Sequence, residues 1–189
     1  MTTIALTSEL EAVNTLLASI GESAVNSLSV TGLADLSAAR RTLDEFSREV
    51  QLVGWHFNTE EDYPLPRDSK SHIYAPTNAL KIILLDDSGI VQRGLKLYNK
   101  TKHTDTFDKD LRATVVFLLP WDELPQVARH YIMVRASRVF QTRTLGSDTQ
   151  FQFSAEEEMS ALKALTEAEG ETGNYNMFSS MSYRSIMDR

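Results

Sequence analysis

Leu10, Val13, Leu17 and Ile20 recur every three or four positions among polar neighbours, the spacing of one face of an α-helix. Ser8 and Glu11 ahead of them form a Ser-x-x-Glu capping box, and Gly21 stands where a left-handed C-terminal cap belongs. A second helix is predicted from Asp35, with Leu36, Ala39, Leu43, Phe46, Val50 and Val53 on one face and Gly54 stopping it. Both helices are amphipathic and too short to hold in water alone, so each face needs a partner surface.

The period then changes to two. Leu80, Ile82 and Leu84 alternate along one strand, Asp87-Ser88-Gly89 supplies a turn, and Leu95-Lys96-Leu97-Tyr98 resumes. A further strand puts Leu111, Ala113, Val115, Phe117 and Leu119 on one side before Pro120 ends it. Trp55-His56-Phe57-Asn58 is expected to start the sheet, with Pro64, Pro66 and Pro76 marking the loop between. The polar stretch 99–110 reads as an exposed excursion.

Helical spacing returns after Pro125, through Val127, Tyr131, Val134, Arg135, Arg138, Val139 and Leu145 to Gly146. Ser154 and Glu157 form a second capping box, placing Glu156, Glu157 and Glu158 at the positive end of a helix dipole that runs to about Gly170. The expected fold is α+β: a bundle of about four helices with a β-rich insertion between the second and third. The corresponding segments are an N-terminal helical hairpin over 1–54, the insertion over 55–120, completing helices over 121–173 and a docking tail over 174–189.

Charge follows the same division. Residues 1–54 carry 3 basic and 7 acidic side chains, residues 55–120 carry 9 and 9, and residues 121–189 carry 7 and 10. Six of the seven lysines fall in the middle segment, while the flanks use Arg almost throughout. The whole chain of 189 residues has a formal net charge of −7, which weighs against gripping nucleic acid, since phosphate affinity comes from cationic neutralisation. There is no Cys, so disulfides, thiolate metal sites and a Cys nucleophile are excluded together. The N-terminus lacks the basic and apolar regions of a signal peptide, and no apolar run approaches a membrane span.

Catalytic signatures are sparse. His56, His72, His103 and His130 are isolated from one another and from any metal-binding spacing. The glycines form no phosphate-cradling loop, and no Gly-x-Ser-x-Gly elbow accompanies the serines. Metals and cofactors are therefore not expected. Carboxylates are the one catalytic group in quantity: Glu60-Glu61-Asp62, Asp86-Asp87 and the set Asp105, Asp108 and Asp110 could supply a glycosidase pair. All of them fall in expected turns and loops, where acidic residues also have a structural reason to be.

Two features point to contacts rather than catalysis. Arg129, Arg135, Arg138 and Arg143 spread around the third helix. They suit a DNA-facing surface, subunit contacts, or pairing within the chain to the Glu-rich fourth helix. The segment 174–189 carries Tyr175, Met177, Phe178, Met181, Tyr183, Ile186 and Met187 after a Gly-containing break, a composition suited to docking on its own domain or on another chain. Arg135, Arg138, Arg143, Tyr175, Met177, Phe178, Met181 and Tyr183 are the candidate subunit or portal contacts.

Several motifs in register resemble one family. They are Leu16-Leu17-Ala18-Ser19-Ile20-Gly21-Glu22, Gly54-Trp55-His56-Phe57-Asn58, Arg129-His130-Tyr131-Ile132, Arg135-Ala136-Ser137-Arg138-Val139-Phe140-Gln141 and Gly173-Asn174-Tyr175-Asn176-Met177. Their order and spacing along nearly the full chain resemble tail tubular protein A of short-tailed, podovirus-type phages. The resemblance implies a structural virion protein, an adaptor joining the portal to a tail nozzle of the tail tubular protein B type. It implies a ring of about twelve identical subunits closed by heterologous contacts. Genomic DNA would pass through without specific binding, and no membrane would be involved. Assembly would take place in the host cytoplasm, with the finished protein in the virion tail. The resemblance brings no catalytic motif. The rival reading is a tail-associated glycan hydrolase built on two of the carboxylates above.

Overall fold

The computed structural model describes residues 6–84, 89–146 and 148–172, the stretch 148–154 by its backbone alone. The docking segment 174–189 and the pair Asp86-Asp87 lie outside the described residues. The chain divides into two compact units, Met1–Phe46 with Trp121–Arg189, and Ser47–Pro120. Among the described residues, four α-helices and an antiparallel sheet between the second and third give the α+β fold expected.

In the first unit, α1 (Glu9–Ser19) is fixed at both ends by local chemistry. The Glu11 N–H donates to Ser8 Oγ at 3.2 Å and the Ser8 N–H donates to Glu11 Oε2 at 2.7 Å, the reciprocal capping box the sequence predicts. At the other end Gly21 adopts φ +85°, so its own N–H reaches the Ala18 carbonyl at 3.0 Å and that of Glu22 reaches Leu17 at 3.0 Å. This is a Schellman motif, which requires a left-handed residue. Asn14 ties the following loop back to the helix, exchanging bonds of 3.0 and 2.8 Å with both backbone groups of Val25.

Helix α2 (Ala34–Leu52) buries Leu36, Ala39, Leu43, Phe46 and Val50 as its periodicity requires, whereas Val53 lies beyond the helix and is exposed. Helix α3 (Gln126–Leu145) starts at Pro125, whose missing N–H costs a helix nothing there, and ends at Gly146 with φ +62°. It packs against α1 and against α4 (Asp148–Thr172), so Ala128, Tyr131, Ile132, Val134, Ala136 and Phe140 are all buried rather than confined to a narrow stripe. Helix α4 begins six residues before Ser154, which therefore is not its N-cap. Ser-x-x-Glu is a start signal only where the residues ahead of it cannot themselves be helical, and here they are. None of the described helices is long and apolar enough to cross a membrane.

In the second unit, β5 (Leu111–Phe117) is the central strand of a three-stranded antiparallel sheet, flanked by β1 (Thr59–Leu65) and β2 (Ala79–Ile83). The expected face of β5 is the core face. Ala113, Val115 and Phe117 are buried with Leu65, Ile73, Leu97 and Phe107, and Leu111 and Leu119 pack against them. Pro64 falls inside β1 rather than in a loop, which an edge strand tolerates because one side of its backbone needs no partner. A bulge between Glu60 and Tyr63 places Asp62 at φ 56° and aims its carboxylate at Arg112, its ion-pair partner on β5.

A second ladder joins β3 (Ile90–Arg93) to β4 (Lys96–Asn99) through a two-residue turn at Gly94-Leu95, with Gly94 at φ +64°. Periodicity alone places the strand start at Leu95; Gly at the first of two turn positions is the hairpin signal that moves it. The stretch 99–110 is not wholly an exposed excursion, for Asn99 and Phe107 are buried. Phe107 fills the core beside Ile73 and its N–H donates to the Ser71 carbonyl at 2.9 Å.

The motif Gly54-Trp55-His56-Phe57-Asn58 does not extend the sheet but leads into it. Its residues 56–58 form a 3₁₀ turn, and the sheet begins at Thr59. Gly54 adopts φ +88°, and a Cβ there would stand 3.1 Å from Val116 Cγ2. The Trp55 indole N–H donates to the Val50 carbonyl at 2.7 Å, satisfying a carbonyl of the last turn of α2 that has no helical partner. Asn58 is buried, with its amide donating to the Gln51 and Phe117 carbonyls at 2.9 and 2.8 Å and its Oδ1 accepting the Trp55 N–H at 2.9 Å. Gly54, Trp55 and Asn58 of that motif thus serve the junction of α2 and β1.

Candidate functional site

Residues 135 and 138 are three apart on α3 and so share a side of the helix. Between them lies Glu158 of α4. Its Oε1 accepts from Arg135 Nη1 at 2.8 Å, and its Oε2 accepts from Arg138 Nε. The side chains of Arg135, Arg138 and Glu158 retain 28%, 19% and 12% of their exposure, so one carboxylate joins two guanidiniums in a largely dry seam. Arg135 Nη1 also donates to Tyr131 Oη at 3.3 Å, and its guanidinium lies 5.4 Å from the centre of the Phe46 ring.

Arg143 takes a different carboxylate. It grips Glu45 of α2 with two bonds of 2.7 and 2.9 Å and lies 5.8 Å from the same Phe46 ring. Of the three readings of the Arg set, pairing within the chain describes Arg135 and Arg138, while Arg143 pairs with α2 instead of the Glu-rich helix. The sequence marks Glu158 as a helix-terminus acid; with α4 starting at Asp148 it lies well inside the helix and acts through its partners on α3.

Arg129 serves a separate purpose. It is buried, donating through Nε to the Leu124 carbonyl at 2.9 Å, through Nη1 to Thr7 at 2.9 Å and through Nη2 to Asp122 at 2.7 Å. The Trp121 indole N–H donates to the same Thr7 carbonyl at 2.9 Å, and Gln126 closes on the Thr7 N–H and hydroxyl at 2.9 and 2.7 Å. A guanidinium spreads its donors over separate nitrogens in a planar fan and so holds carbonyls that lie apart, whereas a Lys gathers its donors on one nitrogen. The chain entering α1 is thereby fastened to the start of α3. Nothing in hydrophobic periodicity marks Thr7, Trp121 or Gln126 for this task.

Of the carboxylates weighed for catalysis, the four described aspartates each pair with a cation of the β unit. Asp62 pairs with Arg112, Asp105 with Lys96 at 3.4 Å, Asp108 with Lys102 at 3.2 Å and Asp110 with Arg67 at 3.1 Å. The Arg67 backbone N–H, then its side chain, hold Asp110 below its ordinary value of 3.8. Asp68 is lowered in the same way, chiefly by the N–H of His72. Glu60 and Glu61 stand exposed on β1.

The imidazole of His72 lies between two acids, Nδ1 3.5 Å from Asp68 and Nε2 3.5 Å from Asp105. His56 belongs to the 3₁₀ turn, His103 to a turn with φ 53°, and His130 lines a cavity of about 350 Å³ with Thr15, Met133 and Gln141. Among the described residues, no group of three or more His, Asp or Glu side chains is placed to hold a metal ion. What the arrangement does chemically is fasten elements: Arg135, Arg138 and Glu158 join α3 to α4, and Arg143 and Glu45 join α3 to α2.

No curated protein matches the chain. The family described as Tail tubular protein matches residues 10–175, from the first turn of α1 to beyond the end of α4. The chain is thus a member of the tail tubular protein family, structural components of phage tails.

Proposed function

We propose that this tail protein is the adaptor subunit between the portal and the tail nozzle, assembled in the host cytoplasm into a ring of about twelve copies that forms part of the DNA ejection conduit. The observation that carries the reading is family membership across nearly the whole chain, in a protein of net charge −7. A conduit must let DNA slide, and an acidic wall avoids the counterion-releasing contacts that would hold it. The helical unit suits a ring wall because α3 is locked on two sides, by Glu158 of α4 and Glu45 of α2.

In this reading Arg135 and Arg138 act indirectly, by holding α4 in place. Arg143, half exposed beside Glu45, and Tyr175, Met177, Phe178, Met181 and Tyr183 of the C-terminal segment are the residues proposed to meet a neighbouring subunit or the portal. The test is the light-scattering mass of the purified protein, alone and mixed with portal at matched salt. A large stoichiometric complex is expected with portal. Persistent failure to join active portal overturns the adaptor role.

A further inference from the structure

The helical unit carries two unlike surface features that fit one another. One lies on α4, where Met159 is 72% exposed and Leu162, three residues on, is 37% exposed. Glu156, three residues before Met159, is exposed on the same face and makes no ion pair among the described residues. An acid followed by a Met and a Leu at helical spacing is an adaptable apolar ridge with one charged end.

The other feature is a groove of about 610 Å³ between residues 28–32 and α2. Leu28, Val30 and Leu36 supply apolar walls, and Arg40 and Arg41 outweigh Asp44 in charge. Val30 is 45% exposed. Arg40 is partly engaged, reaching the Leu28 carbonyl at 3.4 Å and Glu9 at 3.8 Å, whereas Arg41 makes no ion pair among the described residues. The volume is in the range that receives a ligand of several heavy atoms, enough for a Met and a Leu side chain.

We propose that the Glu156–Met159–Leu162 face of α4 in one subunit seats in the groove between residues 28–32 and α2 of a second copy, with Glu156 meeting Arg41. Charge complementarity selects a second copy as the occupant: the ridge is acidic where the groove is basic. The two patches are different surfaces of the same chain, so the contact is heterologous and propagates from subunit to subunit as a closed ring requires. The inference rests on the ring-forming role proposed above and names the surfaces that would build it.

The absence of Cys makes the test clean. Val30→Cys and Met159→Cys are introduced singly and together into the full chain, assembled with portal and treated with a short bismaleimide. Ring formation by wild type and each variant is followed by light scattering under the same conditions. The double variant is expected to give a ladder of covalent species beyond the dimer. The two single variants co-assembled are expected to stop at dimers, and each alone to give none. If rings form but the double variant yields monomers or only dimers, this interface is overturned while the adaptor role stands. If wild type forms no ring with or without portal, the adaptor role falls and the interface with it.

Discussion

Gln51, near the end of α2, engages both backbone groups of Leu119: its Oε1 accepts the Leu119 N–H at 2.8 Å and its Nε2 donates to the Leu119 carbonyl at 3.2 Å. The Gln51 side chain is buried, so the pairing stands in for a strand partner just past the end of β5. Ser47 Oγ takes the remaining amide proton at 3.0 Å. Replacing Gln51 with Leu keeps the volume but leaves two backbone groups of Leu119 without these partners. The expected cost is about 2–4 kcal/mol, since each buried unsatisfied group costs about 1–3 kcal/mol. Urea unfolding read by tryptophan fluorescence checks it, and a loss below about 1 kcal/mol would show that Leu119 finds other partners.

Gly54 is held to its identity by two independent demands. At φ +88° any L-residue is strained, and the added Cβ would press on Val116 at 3.1 Å. Gly54→Ala is expected to destabilise by about 1–3 kcal/mol, the left-handed penalty together with a displaced valine. The companion Gly54→Ala/Val116→Ala separates the two. If crowding matters, the double variant loses less than the sum of the singles. Strict additivity in denaturant midpoints would leave only the backbone term.

Where one turn of chain settles the outcome, the sequence was legible. The Ser8–Glu11 box and the Gly21 cap are such cases, and so is the alternation that turns Ala113, Val115 and Phe117 inward. Signals with two physical meanings misled. Ser154 and Glu157 match a helix start but fall inside α4, and Pro64 reads as a loop but lies in an edge strand. Phe107, a lone aromatic in a polar run, carries no period to announce its burial. The Arg set was legible as important without being legible in direction, because the nearness of Glu158 to α3 and of Glu45 to α2's partner is a property of packing, not of spacing.

The bridging role of Glu158 makes its removal costlier than that of either arginine. Glu158→Ala leaves two partly buried guanidiniums facing each other, whereas Arg138→Ala leaves Glu158 with Arg135. We expect about 2–3 kcal/mol for the first and about half that for the second, below the full cost of breaking a buried pair because the seam retains some solvent. A double-mutant cycle on Arg138 and Glu158 is expected to show coupling above about 0.5 kcal/mol. Coupling near zero in monomeric protein would return Arg138 to the solvent-facing surface. Reversing Arg135 and Arg138 to Glu should then disturb the helical unit itself, seen as a lowered melting temperature, before it disturbs assembly.

Acid sensitivity is expected to concentrate in the β unit, at the loop that Asp110 fastens. Arg67 donates its N–H and its Nε to Asp110 Oδ1, both at 3.1 Å, and its Nη1 to the carbonyls of Phe107 and Asp108 at 3.2 and 2.7 Å. The Arg67 N–H first, then its side chain, hold the carboxyl below its ordinary value of 3.8 in the folded state. A depressed folded value means that the unfolded chain binds the proton more readily, so the stabilisation is present above the unfolded value and is lost as pH falls through the folded one. Asp68, lowered by the His72 N–H, adds in the same direction and the same window. Asp110→Asn is therefore expected to lower the urea midpoint at pH 7 and to converge with wild type as pH falls through the lowered folded value of Asp110. Because Arg67 also tethers Phe107, the loss should appear as faster amide exchange at Phe107 before it appears in α1 or α3. A midpoint difference that stays constant from neutral to acid pH would show that the Asp110 charge contributes nothing, and that the loss comes from altered hydrogen bonding to Arg67 in the amide.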